Sequence, residues 1–178
     1  MNYNKLTPLL FTLVILLIYS CNKNSSPSDI LPPITQAGAN TLGFTINGSV
    51  WIPKGQDSKP NPRLVYAEDL NGIPYLMIEG IQVDNTGYYS DFIFTIDSLY
   101  GIGTHYIYTN NPELIFLSNA YPTCGLQPHD TTSYKTGEVI VTKLDIINKI
   151  VSGTFNFTYK TETCDTMKIA NGRFDLKL

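Results

Sequence analysis

The clearest alternation of polar and apolar positions lies at the end of the chain, where Arg173, Asp175 and Lys177 fall on one side and Phe174, Leu176 and Leu178 on the other. A period of two with charge on one side predicts a strand whose sheet has one wet face. Phe155, Phe157 and Tyr159 align in the same way, and Phe155 and Phe157 are assigned to the core. Residues 138–144, 150–159 and 167–178 are expected to form a three-stranded meander with turns at 146–149 and 162–165. Toward the start, Asn47-Gly48 sits between two apolar runs and accepts the positive φ angles of a two-residue type I′ turn. Such a loop places Ile46 opposite Ser49, Thr45 opposite Val50 and Phe44 opposite Trp51, so the two aromatics share a face and seed the core. A second hairpin of the same turn type is expected after the Pro-rich loop 53–62, joining 64–70 to 73–83 at Asn71-Gly72. Residues 88–96, 104–108 and 114–117 read as further strands bounded by Asn, Asp, Gly or Pro. The chain is therefore expected to be all-β: an antiparallel β-sandwich or a partly closed barrel of about seven to nine strands.

Composition agrees with that reading. Apolar residues are 43% and charged residues 15% of the chain, enough for a core and too few charges for disorder. Removing the first twenty of 178 residues leaves 158, the size of one domain plus a short tether. A net charge of −3 without a basic cluster argues against nucleic acid, because phosphate neutralisation needs grouped Lys and Arg.

The first thirty residues follow a different pattern. Lys5 precedes an apolar run of about ten residues ending at Ile18, the length of a signal h-region and about half of what a membrane-spanning helix needs. Ile18-Tyr19-Ser20-Cys21 then resembles the lipobox of bacterial lipoproteins, with Tyr19 bulkier than the usual residue at its position. The resemblance implies a lipoprotein signal peptide at 1–20 and a Cys21 alkylated with diacylglycerol, a reaction that requires the thiol. The alternative is an ordinary secreted protein. Several acyl chains anchor stably, since each buried methylene adds about 0.8 kcal/mol and a single chain is marginal. Residues 21–40 are then the lipidated Cys and a polar, Pro-rich flexible linker, spanning on the order of 50 Å if extended, ahead of a single β-domain at 41–178. Asn22 stands where Asp would resemble an inner-membrane retention signal, which favours the outer membrane. Whether the domain faces the periplasm or the cell surface stays open; only Asp29 contributes to an acidic cluster after the Cys.

Four stretches carry a wider likeness: residues 31–38 (Leu-Pro-Pro-Ile-Thr-Gln-Ala-Gly) running into Thr41-Leu42-Gly43-Phe44; Asn47-Gly48 with Trp51-Ile52-Pro53; Ser152-Gly153-Thr154-Phe155; and Gly172-Arg173-Phe174-Asp175. As a set they resemble a family of small, functionally uncharacterised lipoproteins of the Bacteroidetes with a domain of unknown function. That resemblance implies a cell-envelope protein and brings no catalytic residues.

With Cys21 acylated, Cys124 and Cys164 form an even pair in an oxidising compartment and are expected to be joined in a disulfide. Closing about forty residues would contribute roughly 3–4 kcal/mol in the chain-entropy model. Two free thiols, or a metal site with His129, are the alternatives. His105 and His129, with Asp130 beside the second, lack metal-ligand spacing, and no nucleophile elbow, phosphate-binding loop, dinucleotide fingerprint or zincin motif occurs. No metal, cofactor or catalytic residue is expected. Asp97-Ser98-Leu99, Asp130-Thr131-Thr132 and Asp165-Thr166-Met167 resemble Bacteroidetes O-glycosylation sites, making Ser98, Thr131 and Thr166 candidates; the same pairs also simply favour turns. Twelve tyrosines and one tryptophan offer stacking surfaces, densest at Tyr66, Tyr75, Tyr88, Tyr89, Tyr106 and Tyr108. The function expected from these residues is a non-catalytic binding domain for a glycan or protein partner, tethered to the outer membrane by its lipid. The alternatives are a structural or assembly component of the envelope and a hydrolase with an unmarked carboxylate pair.

Overall fold

The computed structural model describes residues 30–55, 61–108, 114–119, 122, 124–126 and 133–177. Leu31–Leu178 form one compact unit. Its strands are β1 (Thr41–Ile46), β2 (Ser49–Trp51), β3 (Arg63–Glu68), β4 (Pro74–Val83), β5 (Tyr89–Asp97), β6 (Gly103–Tyr108), β7 (Leu114–Ser118), β8 (Tyr134–Asp145), β9 (Ile150–Thr161) and β10 (Cys164–Lys177). They make a six-stranded sheet in the order β2-β1-β10-β9-β8-β6 and a four-stranded sheet in the order β3-β4-β5-β7. Every strand pairing within the two sheets is antiparallel. The sheets do not close on each other, so the fold is a β-sandwich and the barrel alternative falls away. The described residues form ten strands, one for each segment that the sequence marks, which exceeds the expected total of seven to nine by one.

Aromatic side chains from both sheets meet in the middle. Phe92 of the smaller sheet lies 4.5 Å from Phe44 and 5.5 Å from Phe155 between ring centres, and Phe94 lies 5.1 Å from Phe155 and 6.0 Å from Phe174. Phe155 and Phe157 are both buried, as expected. Trp51 stacks on Phe44 at 4.6 Å and donates its indole N–H to the buried Ser90 hydroxyl at 2.7 Å. A buried indole requires such a partner.

The first hairpin has the expected register, Phe44 opposite Trp51 and Ile46 opposite Ser49. Asn47 and Gly48 have φ of 47° and 86°, the two positive values a type I′ turn needs. The second hairpin departs by one residue. Glu68 pairs with Pro74, Asp69 N–H donates to Ile73 O, and of the loop residues only Gly72 has a positive φ. The loop thus has three residues, because the Asp69 carboxylate accepts from the N–H groups of Asn71 and Ile73 and holds the wider turn. The meander of β8, β9 and β10 is present, with its turns at 146–149 and at Glu162-Thr163.

One wet face on that meander is too simple. Phe174 and Leu176 point into the core and Lys177 is exposed, but Asp175, on the outward side, is only 1% exposed. Residues 31–40 cover it.

Candidate functional site

The outward face of the six-stranded sheet is built in two parts. The first is a clasp. Asp175 Oδ2 accepts from the Thr35 hydroxyl at 2.5 Å, Ala37 N–H at 3.0 Å and Ala39 N–H at 3.2 Å; Oδ1 accepts from Gly38 N–H at 2.8 Å and the Ser152 hydroxyl at 2.7 Å. Burial pushes the Asp175 carboxyl up, but the Thr35 and Ser152 hydroxyls and the Gly38 and Ala37 N–H groups outweigh it and bring the pKa to about 2. Around this centre Arg173 donates to Pro32 O, Lys143 to Gln36 O, and Lys177 N–H to the Asn40 side chain. Gly43 leaves room for Pro32, whose Cδ would lie 2.7 Å from any Cβ placed there. Residues 31–40, expected to be flexible linker, are instead a strap fixed to the sheet, because four strap donors on one carboxylate outweigh the entropy of a free segment.

The second part is a strip of tyrosines. Tyr106 and Tyr108 project from β6 with ring centres 6.3 Å apart. Tyr106 lies opposite Glu138 and Tyr108 opposite Thr136, and these lie opposite Asn156 and Thr158 on β9. By the two-residue period of β8, Tyr134 shares the face of Thr136 and Glu138. Tyr106, Tyr108 and Tyr134 are all more than half exposed. The Asn156 amide donates to Glu138 at 3.1 Å. Asn156 also lines a shallow groove of about 260 Å³ whose other walls include Ile34 of the strap, Ile140, Thr154, Asn171 and Arg173. Rings, amide, carboxylate and guanidinium thus run as one band from the sheet edge at β6 to the strap.

The six tyrosines singled out in the sequence separate. Tyr66 packs against the core, Tyr75 and Tyr88 are half-buried, and Tyr89 stands on the other sheet, leaving Tyr106 and Tyr108 on this face. Tyr134 was missed because the strand was expected to begin at Glu138. The alternation Tyr134, Thr136, Glu138 was the signal for it.

Other candidates lie apart. Cys124 and Cys164 are joined by a disulfide, with Cα atoms 5.0 Å apart, and the Tyr159 hydroxyl donates to Cys124 O. Ser98 and Thr166 are exposed, whereas Cys21, Thr131, His129 and Asp130 lie outside the described residues. His105 is half-buried on β6; its Nε2 has no hydrogen-bond partner among the described residues, and burial lowers its pKa. Among the described residues no group of three His, Cys, Asp or Glu side chains could hold a metal ion. A second groove, of about 200 Å³, is lined by Lys54, Gln82, Val83, Asp84 and Tyr88. Its carboxylate, Asp84, caps its own turn, accepting from the Thr86 hydroxyl and N–H and from Tyr88 N–H, which lowers its pKa.

The fold and this face define the chain as an antiparallel β-sandwich with an aromatic and polar outer surface. No family model, curated protein or solved structure matches it.

Proposed function

We propose that this chain is a cell-envelope lipoprotein, held at the outer membrane by an acylated Cys21, whose sandwich is a non-catalytic glycan-binding domain. The observation that carries the binding reading is the band of Tyr106, Tyr108 and Tyr134 beside Glu138, Asn156 and Arg173. A pyranose ring has an apolar C–H face and an edge of hydroxyls. Exposed rings pack on the first, while an amide, a carboxylate and a guanidinium hydrogen-bond the second. The groove is open and shallow, which suits an extended chain more than a small buried ligand. The likeness to small Bacteroidetes lipoproteins agrees with an envelope location but does not choose the ligand.

Affinity electrophoresis through gels containing soluble polysaccharides tests the binding reading. Retardation by at least one polysaccharide, abolished in Tyr106→Ala with Tyr108→Ala, is expected; migration identical to the variant in every gel rejects it. For the anchor, intact mass of protein extracted from native membranes is expected to begin at Cys21 and carry diacylglycerol. A chain retaining residues 1–20, or carrying no lipid, rejects it.

The position of β6 at the edge of its sheet favours one second reading, an extended peptide that pairs with β6 and lays its side chains on the same tyrosines.

A further inference from the structure

The turns at the two ends of the sandwich differ in kind. One end gathers the β3–β4 loop, the β5–β6 loop and the β8–β9 turn. Leu99 N–H bonds to Pro74 O where β5 ends beside the start of β4, and β6 begins with Gly103 opposite Val141 near the end of β8. Leu70 is 106% exposed at the first of these loops, Tyr100 76% and Ile102 69% at the second, and Ile146 49% and Ile147 93% at the third. The described turns at the other end are Asn47-Gly48, residues 84–88 and Glu162-Thr163; none carries an exposed aliphatic side chain, and the exposed hydrophobics beside them are Val83, at 36%, and the tyrosines Tyr89, Tyr108 and Tyr134, which lie on strands rather than on protruding tips.

We infer that the Leu70, Tyr100, Ile102, Ile146 and Ile147 end of the sandwich rests in the interfacial layer of the bilayer that holds the lipid anchor. This rests on the reading of Cys21 as that anchor. Side chains protruding from three separate turns suit a deformable phase, into which each can sink independently. The turns between these side chains also satisfy backbone donors of their own. Asp69 accepts from Asn71 and Ile73 N–H, and Asp145 from the Asn148 N–H and amide, so these turns carry their own hydrogen-bond partners. Both carboxyls have lowered pKa values for that reason, the backbone bond of Ile73 leading for Asp69 and the Asn148 side chain for Asp145, so they stay ionised and belong at the headgroup level while only the apolar tips go deeper. Lys143, Lys149 and Lys177 stand at the same end with Glu68, Asp69, Asp97 and Asp145, three positive charges against four negative.

The tether joins the sheet in the half nearer this end. Its strap first touches the sheet where Arg173 meets Pro32. Arg173 is four residues from Lys177, about 13 Å, and nine from Cys164 at the opposite end, about 30 Å. Only eight residues lie between Cys21 and Ile30, nine Cα steps and at most about 30 Å of extended chain. A tether that short, beginning near the apolar end, favours presenting that end to the lipid and turning the polar turns away.

The test uses the full lipidated mature chain in phosphatidylethanolamine–phosphatidylglycerol vesicles with brominated acyl chains. Trp51 is buried and supplies a constant background. Ile147→Trp and Leu70→Trp are expected to shift their emission to the blue and to be quenched by bromine, whereas Asn85→Trp at the other end is not. Unquenched Ile147→Trp and Leu70→Trp in protein that floats with the vesicles would overturn the inference and leave the anchor intact. Protein that neither floats nor carries lipid overturns the anchor reading and this one with it. A blue shift that grows with protein concentration in detergent, without vesicles, assigns the end to a protein contact and also overturns it.

Discussion

The Thr35 hydroxyl donates to the Asp175 carboxylate at 2.5 Å across 140 residues of chain. The pair joins the segment that enters the domain to the strand that ends it, and Ser152 of the middle strand completes the contact from the other side. Three segments far apart in the sequence therefore meet at one carboxylate: the strap, the Ser-Gly-Thr-Phe run and the Gly-Arg-Phe-Asp run.

Replacing that carboxylate tests the clasp. Asp175→Ala leaves the buried Ser152 hydroxyl and several strap donors without an acceptor, and is expected to lower stability by about 3 kcal/mol. The urea midpoint reads the loss. Limited proteolysis is expected to cut within residues 31–40 of the variant before any cut in the sandwich, while the parent resists at that place.

Acid should act through the same group. The native carboxyl, at about 2, releases its proton more readily than the unfolded carboxyl at its ordinary 3.8. Between those values the unfolded chain binds more protons, so stability falls as pH falls. The contribution, about 2 kcal/mol, is complete above roughly pH 4 and is lost as pH drops through 2. Urea unfolding repeated from pH 5 to pH 2 is expected to show this fall in the parent and a smaller one in Asp175→Ala.

Tyr106→Ala and Tyr108→Ala remove exposed rings from a sheet edge. Each is expected to change stability by less than about 0.5 kcal/mol and to weaken glycan binding by about tenfold, the cost of one stacking contact. Titration calorimetry with the polysaccharide that retards the parent measures the second effect and thermal melting the first.

The disulfide closes a loop of sequence separation 40. Cys124→Ser with Cys164→Ser is expected to cost about 4 kcal/mol, mainly by freeing the unfolded chain. Comparison of urea midpoints of the parent and the double variant, both without reductant, provides the check.

Phe92 touches Phe44, Trp51, Phe94, Phe155 and Phe157. Phe92→Ala opens a cavity where the two sheets meet and is expected to cost about 3–5 kcal/mol, with a red shift of Trp51 emission as water gains access.

The sequence by itself determined what short-range rules control. Asn47-Gly48 set a hairpin register that the structure repeats pair for pair, since two adjacent positive φ values leave the backbone no other turn. The meander and the placement of Phe155 and Phe157 followed from a period of two, which is a property of the strand itself. Even there a single side chain intervened: Asp69 captured two N–H groups and widened the Asn71-Gly72 loop by one residue. Tertiary structure alone decided the rest. Alternation told that Asp175 faces outward, but not that the strap would bury it, because the donors come from residues about 140 positions away. Likewise Tyr134 joins Tyr106 and Tyr108, and Leu70 shares an end with Ile147, only through the order in which distant strands pair. That order is set by how two apolar faces pack together, and no local pattern of residues records it.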